Sequence, residues 1–557
     1  MEENAALEAT PLPRQARFLR FGAVFLTLWA PFFLLSSDAG HPISFGALAL
    51  SALVFAIPAW VLDLAMKGPD RKRQAFLFAA AFGLFLNIQA RGFDGIVFVI
   101  GVLALSGLFW GLRAHLPTIL VTVMATTMLS AWILPTGIGV PDEIPVPRDS
   151  PAAPAGGKGL FLHLILDEMV GPAGIPEDVP GSQPFREDFD ALLDRFDFTV
   201  LPQSHSEHNS SKDSMAAFLN FESTTRPHES FHGKRPYILS RNAYFEWLSA
   251  ERGPFHVLQS DYMEFCAESP VPLASCTAYR HGALGWLDDV ELSVVDEFAV
   301  VFGVYANSRG VLEFLGKRIL DASIFLARAG LEPPRLLHWD GILAPANGRA
   351  AFARLEDAVV NGPSDGTYFA HVILPHSPYV VDANCAMLPA PLSWKSHTPR
   401  FEKDNTAEER IERYRLYWGQ ARCAMQLFAG LLERLEAKGR LDDATILVQG
   451  DHGSRIAEVS ARASNRDRFR TVDFWDSFGA LLAYRGPGLP DAVPGHPTTL
   501  SEGLADFARA ASSREARALV PAPRPEALPS TEPAHALRAF LLAKDDEERV
   551  PLTLLGR

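Results

Sequence analysis

The sequence predicts two parts of different fold class. One is an N-terminal all-α transmembrane bundle of about five helices, and the other is an α/β domain with a mainly parallel sheet covered by helices on both faces. Long uncharged windows fill residues 1–140, whereas the remainder alternates short apolar runs with helical patterns. The 557 residues exceed one ordinary domain. A hydrophobic content of 48% beside 21% charged residues fits a membrane part joined to a water-soluble part.

The N-terminal region contains five long windows without charged residues. A bilayer core of about 30 Å requires roughly 17 to 25 apolar residues in helical conformation. No polar helix face is visible in these windows, which argues against the buried helices of a soluble bundle. The windows cover residues 21–37, 42–62, 75–90, 95–112 and 116–134.

Lys and Arg placement predicts the orientation, because these residues accumulate on the inner side of a membrane. The connection 38–41 has none, and the third connection has only Arg91. The N-terminus is therefore expected inside, and an odd number of spans places the chain after residue 134 outside. Loss of one span would reverse that placement, and the third window is the weakest because of Asn87 and Gln89. The basic residues on the expected inner side are Arg14, Arg17, Arg20, Lys67, Arg71, Lys72, Arg73 and Arg113.

A stretch rich in Pro, Gly and Ala follows the windows and is typical of a semi-stiff tether. The predicted domains are therefore a transmembrane domain at 1–135, a linker at 136–158, a main α/β domain at 159–500 and a helical C-terminal extension at 501–557.

Short apolar runs and one long helical pattern alternate through the predicted α/β domain. Apolar residues recur at three- and four-residue spacing over 406–438, and Gly439 stands where a helix C-cap glycine belongs. Strands that alternate with helices predict a mostly parallel sheet. The strand candidates are 160–166, 196–201, 255–259, 368–374, 445–449 and 479–484.

Polar side chains follow three of these strand candidates. Asp167 and Glu168 follow the first, Asp451 and His452 follow the fifth, and His376 comes after 368–374. Ligands of open α/β sheets bind beyond the carboxyl ends of the strands. Carboxylate and imidazole groups there are suited to one metal ion. Each acid taken singly is also compatible with a turn or helix-capping role.

A cluster of hydroxyl groups precedes a helical patch in the segment 204–221. Ser210 or Ser211 would lie at a helix N-terminus, where free N–H groups and the helix dipole favour an anion. Beside a metal ion such a hydroxyl can ionise and attack phosphorus or sulfur. The alternative is a simple N-cap. Acid, acid–imidazole, imidazole and hydroxyl together make up the components of a metal-assisted transfer site.

Four segments resemble one known family: LILDE at 164–168, SSKDSMAAFLN at 210–220, LPHSPY at 374–379 and QGDHGSR at 449–455. They are similar to the alkaline phosphatase superfamily in its sulfatase-like branch. The layout is most similar to membrane-anchored lipoteichoic acid synthases and phosphoethanolamine transferases. The resemblance covers roughly residues 158–490 and implies an alkaline phosphatase-type fold there.

The resemblance also implies the site. One divalent metal ion, Mn²⁺ or Zn²⁺ with Mg²⁺ or Ca²⁺ as alternatives, would bind Asp167, Asp451, His452 and Ser211, with Glu168 as a further candidate ligand. Ser211 matches the family's nucleophile, and Ser210 is the alternative. His376 matches the histidine that contacts the substrate or protonates the leaving group. The remaining candidate anion contacts are Arg455, Lys212 and His208.

One departure from sulfatases has a functional consequence. The formylglycine signature of sulfatases requires a Pro and an Arg that the stretch 211–215 lacks. The resemblance therefore implies a plain hydroxyl nucleophile. It implies a transferase that moves a phosphoglycerol or phosphoethanolamine group from a phospholipid to an envelope glycan or glycolipid through a phospho-serine. The alternatives are a sulfatase or phosphodiesterase-type hydrolase and a non-catalytic binding protein.

The same relatives imply a multi-pass protein of the bacterial inner membrane, with a cytoplasmic N-terminus and a periplasmic catalytic domain. In that oxidising space we expect the disulfides Cys266–Cys276 and Cys385–Cys423, although four cysteines allow three pairings and free thiols are the alternative. The formal net charge of −14 argues against a nucleic-acid partner.

Overall fold

The structure is a computed structural model, and most of the sheet-bearing part of the chain is described in it. The described residues are 14–38, 43–66, 71–89, 95–112, 115–133, 142–144, 159–222, 229–233, 236–280, 292–306, 344–388, 394–399, 405–461, 465, 467–490, 496–513 and 516–521. Most of the predicted linker, part of the loop 389–404 and the end of the C-terminal extension lie outside these residues.

Five helices form where the sequence has its five apolar windows. They are α1 (Arg14–Asp38), α2 (Phe45–Ala65), α3 (Arg71–Gln89), α4 (Gly95–Gly111) and α5 (Leu116–Ile133). Within the described residues, two helices, at Gln15–Leu34 and Phe45–Ala65, are long and apolar enough to cross a membrane. The pair formed by α4 and α5 bends by 118° and adds at most one more span.

The expectation of five spans is therefore corrected to two, or up to three. Helix α3 fails because it begins with Arg71, Lys72 and Arg73 and carries Asn87 and Gln89 near its end. Helix α4 has only 17 residues. The apolar helices that remain fit a membrane anchor.

The chain forms two compact units. The first contains Met1–Val140, Gly282–Asp340 and Pro389–Ser393, and the second contains Pro141–His281, Gly341–Leu388 and Trp394–Arg557. The segment Gly282–Asp340, with helix α9 (Val294–Ala306), thus groups with the N-terminal helices, although the sequence analysis placed it in the range 159–500.

An eight-stranded sheet lies at the centre of the second unit. Its order is β1 (Asp142–Ile144), β9 (Ser275–Tyr279), β7 (His256–Ser260), β10 (Thr367–Val372), β2 (Phe161–Leu166), β11 (Thr445–Gly450), β12 (Leu482–Arg485) and β3 (Thr199–Val200). The strands from β9 to β11 are parallel, whereas β1, β12 and β3 pair antiparallel with their neighbours. The predicted mainly parallel sheet is therefore confirmed, and each predicted strand range contains a strand.

The second unit also contains short strands and seven helices among its described residues. The short strands are β4 (Ser204–His205), β5 (Phe231–His232), β6 (Tyr237–Leu239), β8 (Met263–Glu264) and β13 (Thr498–Thr499). The helices are α6 (Ser182–Arg195), α7 (Ser211–Phe218), α8 (Ala243–Arg252), α10 (Ala344–Asn361), α11 (Ala407–Ala437), α12 (Thr471–Phe478) and α13 (Leu500–Ala511). Two 3₁₀ turns occur at Pro172–Gly174 and Ala516–Leu519.

Helices cover both faces of the sheet, as the apolar runs predict. Every residue of β2 and β10 is buried, which is expected of parallel strands without a solvent face. Helices α7, α8 and α13 contribute to one hydrophobic core with Phe161 and Ile165 of β2. Helix α10 packs against β10 and α11.

Two further sequence predictions are confirmed in the second unit. Thr406 caps α11 by accepting a hydrogen bond from Glu409 N, and Gly439 follows the helix with a φ of 63°. Disulfides join Cys266 to Cys276 and Cys385 to Cys423.

Candidate metal and nucleophile site

Three neighbouring parallel strands end at the same level and deliver the candidate site residues. Leu166 of β2 pairs with Val372 of β10 on one side and with Gly450 of β11 on the other. Asp167 and Asp451 are the next residues of their strands. The sheet register therefore places the two carboxylates side by side, as the strand-end pattern predicted.

Two glycines allow other backbone segments to approach this edge of the sheet closely. Neither glycine adopts a left-handed backbone conformation. A Cβ at Gly450 would lie 2.1 Å from Met169 O, and one at Gly453 would lie 2.6 Å from Asp476 O. Glycine is therefore required at both positions, because the neighbouring backbone lies too close for a side chain.

The loop after β11 is anchored to helix α12. Gly453 N donates to Ser477 O at 3.2 Å, and Arg455 N donates to Asp476 O at 2.7 Å. The Asp476 carboxylate in turn pairs with Arg410 of α11 at 2.8 Å, and both side chains are buried. These bonds fix the positions of Asp451 and His452 at the sheet edge.

Four buried residues meet there and are called the inner group: Asp167, Asp451, His452 and Ser211. Donor atoms of Asp167, Asp451 and His452 lie within 4.8 Å of one another. Ser211 Oγ lies 3.4 Å from Asp167 Oδ2 and 3.3 Å from His452 Nε2. An acid, a second acid, an imidazole and a hydroxyl thus face one small volume.

The protonation of His452 is determined by its contact with the backbone. Its Nδ1 lies 2.8 Å from Gly453 O, and a carbonyl oxygen can only accept, so Nδ1 carries the proton. Burial lowers the pKa of His452 well below its ordinary value, so the ring is neutral. Nε2 therefore presents a lone pair to the inner group, as a metal-binding imidazole does.

The two acids of the inner group lack a protein cation bound to them. Within the described residues, neither Asp167 nor Asp451 forms an ion pair with Lys or Arg. Burial, and next the charge of Asp451, raise the pKa of Asp167 well above its usual range. Asp451 Oδ2 is buried and has no hydrogen-bond partner among the described residues. Two buried carboxylates, a neutral imidazole and a hydroxyl fit one divalent cation.

The structure distinguishes between the two candidate serines. Ser211 is the first residue of α7, and its hydroxyl faces the inner group. Ser210 is the N-cap residue, and its hydroxyl donates to Asp213 Oδ2 at 2.6 Å. Only the Ser211 hydroxyl therefore joins Asp167 and His452.

A second set of residues, called the outer group, surrounds the neighbouring carboxylate: Glu168, Arg455, His376 and His397. Arg455 Nε donates to Glu168 Oε1 at 2.8 Å, and Arg455 Nη2 also contacts that oxygen. His376 Nε2 and His397 Nδ1 each lie 3.7 Å from the same oxygen. Ser377 N donates to Glu168 Oε2 at 3.0 Å. The carboxylate of Glu168 thus accepts from Arg455 and from a backbone N–H, whereas the N–H of Glu168 itself donates to Asp451 Oδ1 at 2.9 Å.

The hydrogen bonds of His376 limit which of its nitrogens can release a proton. Nδ1 contacts Ser377 O, so Nδ1 carries a proton. Nε2 lies 3.1 Å from Arg455 Nη2 and accepts from it. In this arrangement Nε2 has no proton to donate. Displacement of Arg455 by an anion would free Nε2.

The two remaining candidate anion contacts have other surroundings. Lys212 Nζ lies 3.7 Å from Asp213 Oδ1 and packs over the rings of Phe231 and Tyr237 at 5.0 and 5.3 Å. His208 is buried, and its carbonyl accepts from Ser206 Oγ at 2.6 Å. The described contacts join neither side chain to the inner or the outer group.

The sequence analysis missed His371, which lies inside β10. Its Nε2 is 3.1 Å from Asp167 Oδ2, and the ring is fully buried. Burial lowers the pKa of His371 to about 4, so a neutral ring donates this bond. The available signal was a single imidazole in an apolar strand that neighbours the strand leading to Asp167. The structure also joins His397 Nδ1 to Ser377 Oγ at 2.6 Å.

Comparisons with known proteins find similarity only among solved structures. No protein-family profile matches the chain, and no curated protein matches it. The phosphonate monoester hydrolase of Agrobacterium radiobacter is 11% identical, over 63% of this chain and 72% of that chain, with a TM-score of 0.36. The C-terminal periplasmic domain of EcEptC from Escherichia coli, in complex with Zn, is 11% identical over 70% and 91%, with a TM-score of 0.36. The lipoteichoic acid synthase LtaP from Listeria monocytogenes is 12% identical over 66% and 74%, with a TM-score of 0.31. These low values leave the function to be inferred from the side chains of this chain.

Proposed function

We propose that this chain is a membrane-anchored, metal-dependent transferase of the sulfatase-like branch of the alkaline phosphatase superfamily. The observation that carries the proposal is the convergence of Ser211 Oγ with Asp167 and His452 at distances of 3.3 to 3.5 Å. Hydroxyl groups at structural N-caps bind their own helix, whereas this hydroxyl faces two buried acids and a neutral imidazole. That arrangement is suited to a nucleophile beside a metal ion.

Asp167, Asp451, His452 and Ser211 would hold one divalent cation, for which Mn²⁺ or Zn²⁺ is proposed. When bound, such a cation lowers the pKa of the Ser211 hydroxyl and offsets charge on the phosphate oxygens. Asp167 is held in place by His371, and His452 by Gly453 O. Both ligands are therefore oriented before the substrate arrives.

The proposed reaction has two steps at phosphorus. Ser211 Oγ attacks the phosphodiester of a phospholipid head group, so that the Oγ–P bond forms and the bond from phosphorus to the glyceride oxygen breaks. The proton that Ser211 loses is balanced by the one that the released diacylglycerol gains. A hydroxyl oxygen of an envelope glycan or glycolipid then attacks the phospho-serine, so that the acceptor O–P bond forms and the Oγ–P bond breaks. The proton that the acceptor hydroxyl loses is balanced by the one that Ser211 regains. The group transferred would be of the phosphoglycerol or phosphoethanolamine type.

The outer group supplies substrate contacts in this proposal. Arg455 is the basic side chain next to the inner group, and its guanidinium can bind a phosphate oxygen. An anion bound there competes with His376 for Arg455, and the freed Nε2 of His376 can then take up the proton that Ser211 loses and pass it to the leaving oxygen. The site is proposed to face the periplasm, where lipid head groups are within reach of an anchored enzyme.

The test compares two adjacent serines in the full chain purified in detergent. Vesicles of phosphatidylethanolamine or phosphatidylglycerol are supplied with Mn²⁺ or Zn²⁺, and release of diacylglycerol is measured. We expect Ser211→Ala to lower the rate by about 10⁴-fold or more, as loss of a nucleophile does. Ser210→Ala, the matched control, should stay within about tenfold, because its hydroxyl bonds Asp213 rather than the inner group and one such hydrogen bond contributes about 1 kcal/mol.

Peptide mass mapping of the wild type after exposure to donor should locate the head-group phosphate on Ser211. Equal rates in wild type and Ser211→Ala, with metal content unchanged, would overturn the proposal. Turnover that continues without any acceptor would make the chain a phosphodiesterase of the same mechanism. Stoichiometric metal without turnover on either lipid, or on a sulfate ester, would favour a non-catalytic binding protein.

A further inference from the structure

Helix α9 belongs to the N-terminal unit, although the sequence on both sides of its segment belongs to the second unit. It packs against α1 and α2. The sequence of α9 carries Asp296 and Glu297 in the first turn and no charged residue from Phe298 to Ala306. A short helix with one polar end and an apolar remainder is thus attached to the two helices that qualify as membrane spans.

The start of α9 is bound to the start of α2. Ser44 N donates to Glu297 Oε1 at 2.7 Å, and Ser44 Oγ also contacts the carboxylate. Ser44 at the same time caps α2 by accepting from Ala47 N at 3.2 Å. An acid is favourable at this position, because the N-terminal end of a helix carries partial positive charge.

Aromatic contacts continue from this point along both helices. The ring of Phe298 lies 5.9 Å from that of Phe32 in α1, and the ring of Phe302 lies 6.4 Å from that of Phe55 in α2. Residue numbers rise in the same direction along α9 and α2 at these contacts, so the two helices are parallel. Helix α9 therefore runs beside α2 from the outer end of α2 toward the middle of α2. Thirteen residues rise by about 20 Å, which is less than the bilayer core of about 30 Å.

Apolar side chains at the start of α9 and along α2 are exposed. Val294 and Val295 are 45% and 58% exposed, and Phe45 and Leu53 of α2 are 86% and 69% exposed. A large exposed apolar surface that is continuous with a candidate span indicates contact with lipid chains.

We infer that α9 inserts into the bilayer that α1 and α2 cross, from the side of the α1–α2 connection, and contacts lipid acyl chains through the face that carries Val295 and Ala299. The helix reaches into the bilayer without crossing it. It anchors the chain to the membrane at a second place, far from the N-terminus in sequence.

This insertion also bears on orientation. The residues 281–293 that lead into α9 contain three acids and no Lys or Arg, so they are expected to stay on one side of the membrane. The connection 38–44 likewise has no basic residue. The second unit is therefore inferred to lie on the same outer side as that connection. Of the two or three spans, this placement requires three, because an odd number of crossings carries the chain from the inner to the outer side.

A disulfide cross-link tests the packing of α9 on α2. A Cβ at Gly46 would lie 3.6 Å from Val294 Cβ, within the range of about 3.5 to 4.5 Å that disulfides require. All four native cysteines are paired, so new thiols stand alone. Gly46→Cys with Val294→Cys in membranes should cross-link on mild oxidation. The pair Gly46→Cys with Val295→Cys, whose second side chain points away, should not. Equal yields, or none in the first pair, would overturn the placement of α9.

A nitroxide label at Ala299→Cys tests insertion in lipid nanodiscs. Its accessibility to oxygen relative to a water-soluble nickel complex should match a label at Leu53→Cys. It should exceed several-fold that of a label at Leu519→Cys, a half-exposed position of the second unit. A value that matches Leu519→Cys overturns insertion. In intact cells, an impermeant thiol reagent should label Ser293→Cys but not Gly68→Cys in the basic connection, and the reverse pattern overturns the assigned side.

Discussion

Asp167 and Glu168 are adjacent in sequence, fully buried, and belong to groups with opposite electrostatic character. In the inner group, two carboxylates face a neutral imidazole and a hydroxyl, and the described residues provide no ion-pair partner of Lys or Arg. In the outer group, one carboxylate is paired with Arg455 and lies close to two histidines. The inner group is therefore suited to an external cation, whereas the outer group is neutralised by the chain itself.

The backbone turns these neighbours to different partners. Glu168 has a φ of 65° and Arg455 a φ of 59°, both in the left-handed region. Such a conformation costs about 1 to 3 kcal/mol for a residue with a side chain. The two strained residues are each other's ion-pair partners, so the pairing stabilises both turns. Strain at these positions separates the acid proposed to bind metal, Asp167, from the arginine-binding acid, Glu168, within one dipeptide.

The largest effect is expected when one carboxylate of the inner group is removed, and this change tests the contrast between the inner and outer groups. Asp451→Asn removes a candidate ligand and leaves Asp167 and His452 in place. We expect the purified protein to lose bound metal and the rate of diacylglycerol release to fall by about 10³-fold or more, since a metal supplies several kcal/mol of charge stabilisation. Metal content is measured by mass spectrometry after exhaustive dialysis. Full metal content in Asp451→Asn would contradict the separation into two groups.

The equivalent change in the outer group should instead affect stability. Glu168→Gln leaves the guanidinium of Arg455, whose side chain is 15% exposed, without its carboxylate, which costs about 3 kcal/mol in buried pairs. We expect a lower melting temperature and a metal content equal to that of the wild type. Glu412→Gln is the control, because its pair with Arg415 is exposed and surface pairs contribute less than about 1 kcal/mol. Loss of metal in Glu168→Gln would move this residue into the inner group.

Strand ends were predictable because apolar runs and the polar residues after them are local patterns. Leu166 and Gly450 end their strands where the sequence predicts, and the shared register places Asp167 beside Asp451. The number of membrane spans was less predictable, because apolar windows do not show that two helices, such as α4 and α5, form one bent pair. Helix α9 escaped prediction for the same reason: its nine uncharged residues are too few for a span, and its membrane partners are distant in sequence.

The residues of the candidate site show the same difference between local sequence patterns and tertiary contacts. The ligand candidates follow strands and could be found, whereas the partner of each ligand depends on tertiary contacts. His371 lies inside β10 and could not be told from a core histidine such as His163 of β2, which packs against Tyr244 and Phe369. The pairing of Glu168 with Arg455 spans 287 residues and rests on two left-handed residues that no local pattern specifies.

A comparison of these two buried histidines tests whether the inner group depends on a supporting imidazole. His371→Phe keeps the ring volume but removes the donor to Asp167 Oδ2, and we expect metal affinity to weaken by about 10- to 100-fold. His371→Gln, which retains an N–H donor, should recover part of the lost metal affinity. His163→Phe should leave the affinity unchanged, because that ring does not contact the inner group. Competition with a chelator at fixed pH measures all three.

An unchanged affinity in His371→Phe would show that Asp167 is oriented without it. A loss of equal size in His163→Phe would assign the effect to general destabilisation of the sheet.

The smallest effect is expected at Lys212, the basic residue next to the nucleophile in sequence. Its ammonium packs over Phe231 and Tyr237 and lies beside Asp213, so it adds no charge to the outer group. Lys212→Gln should change kcat/KM for the phospholipid by no more than about threefold, because such contacts contribute about 0.5 to 1 kcal/mol. Arg455→Gln, measured in parallel, should raise KM and lower kcat/KM well beyond that, since it removes the cation proposed to bind phosphate. If the two variants lose activity equally, then Lys212 turns toward the substrate during the reaction, and the outer group is not the sole source of positive charge for it.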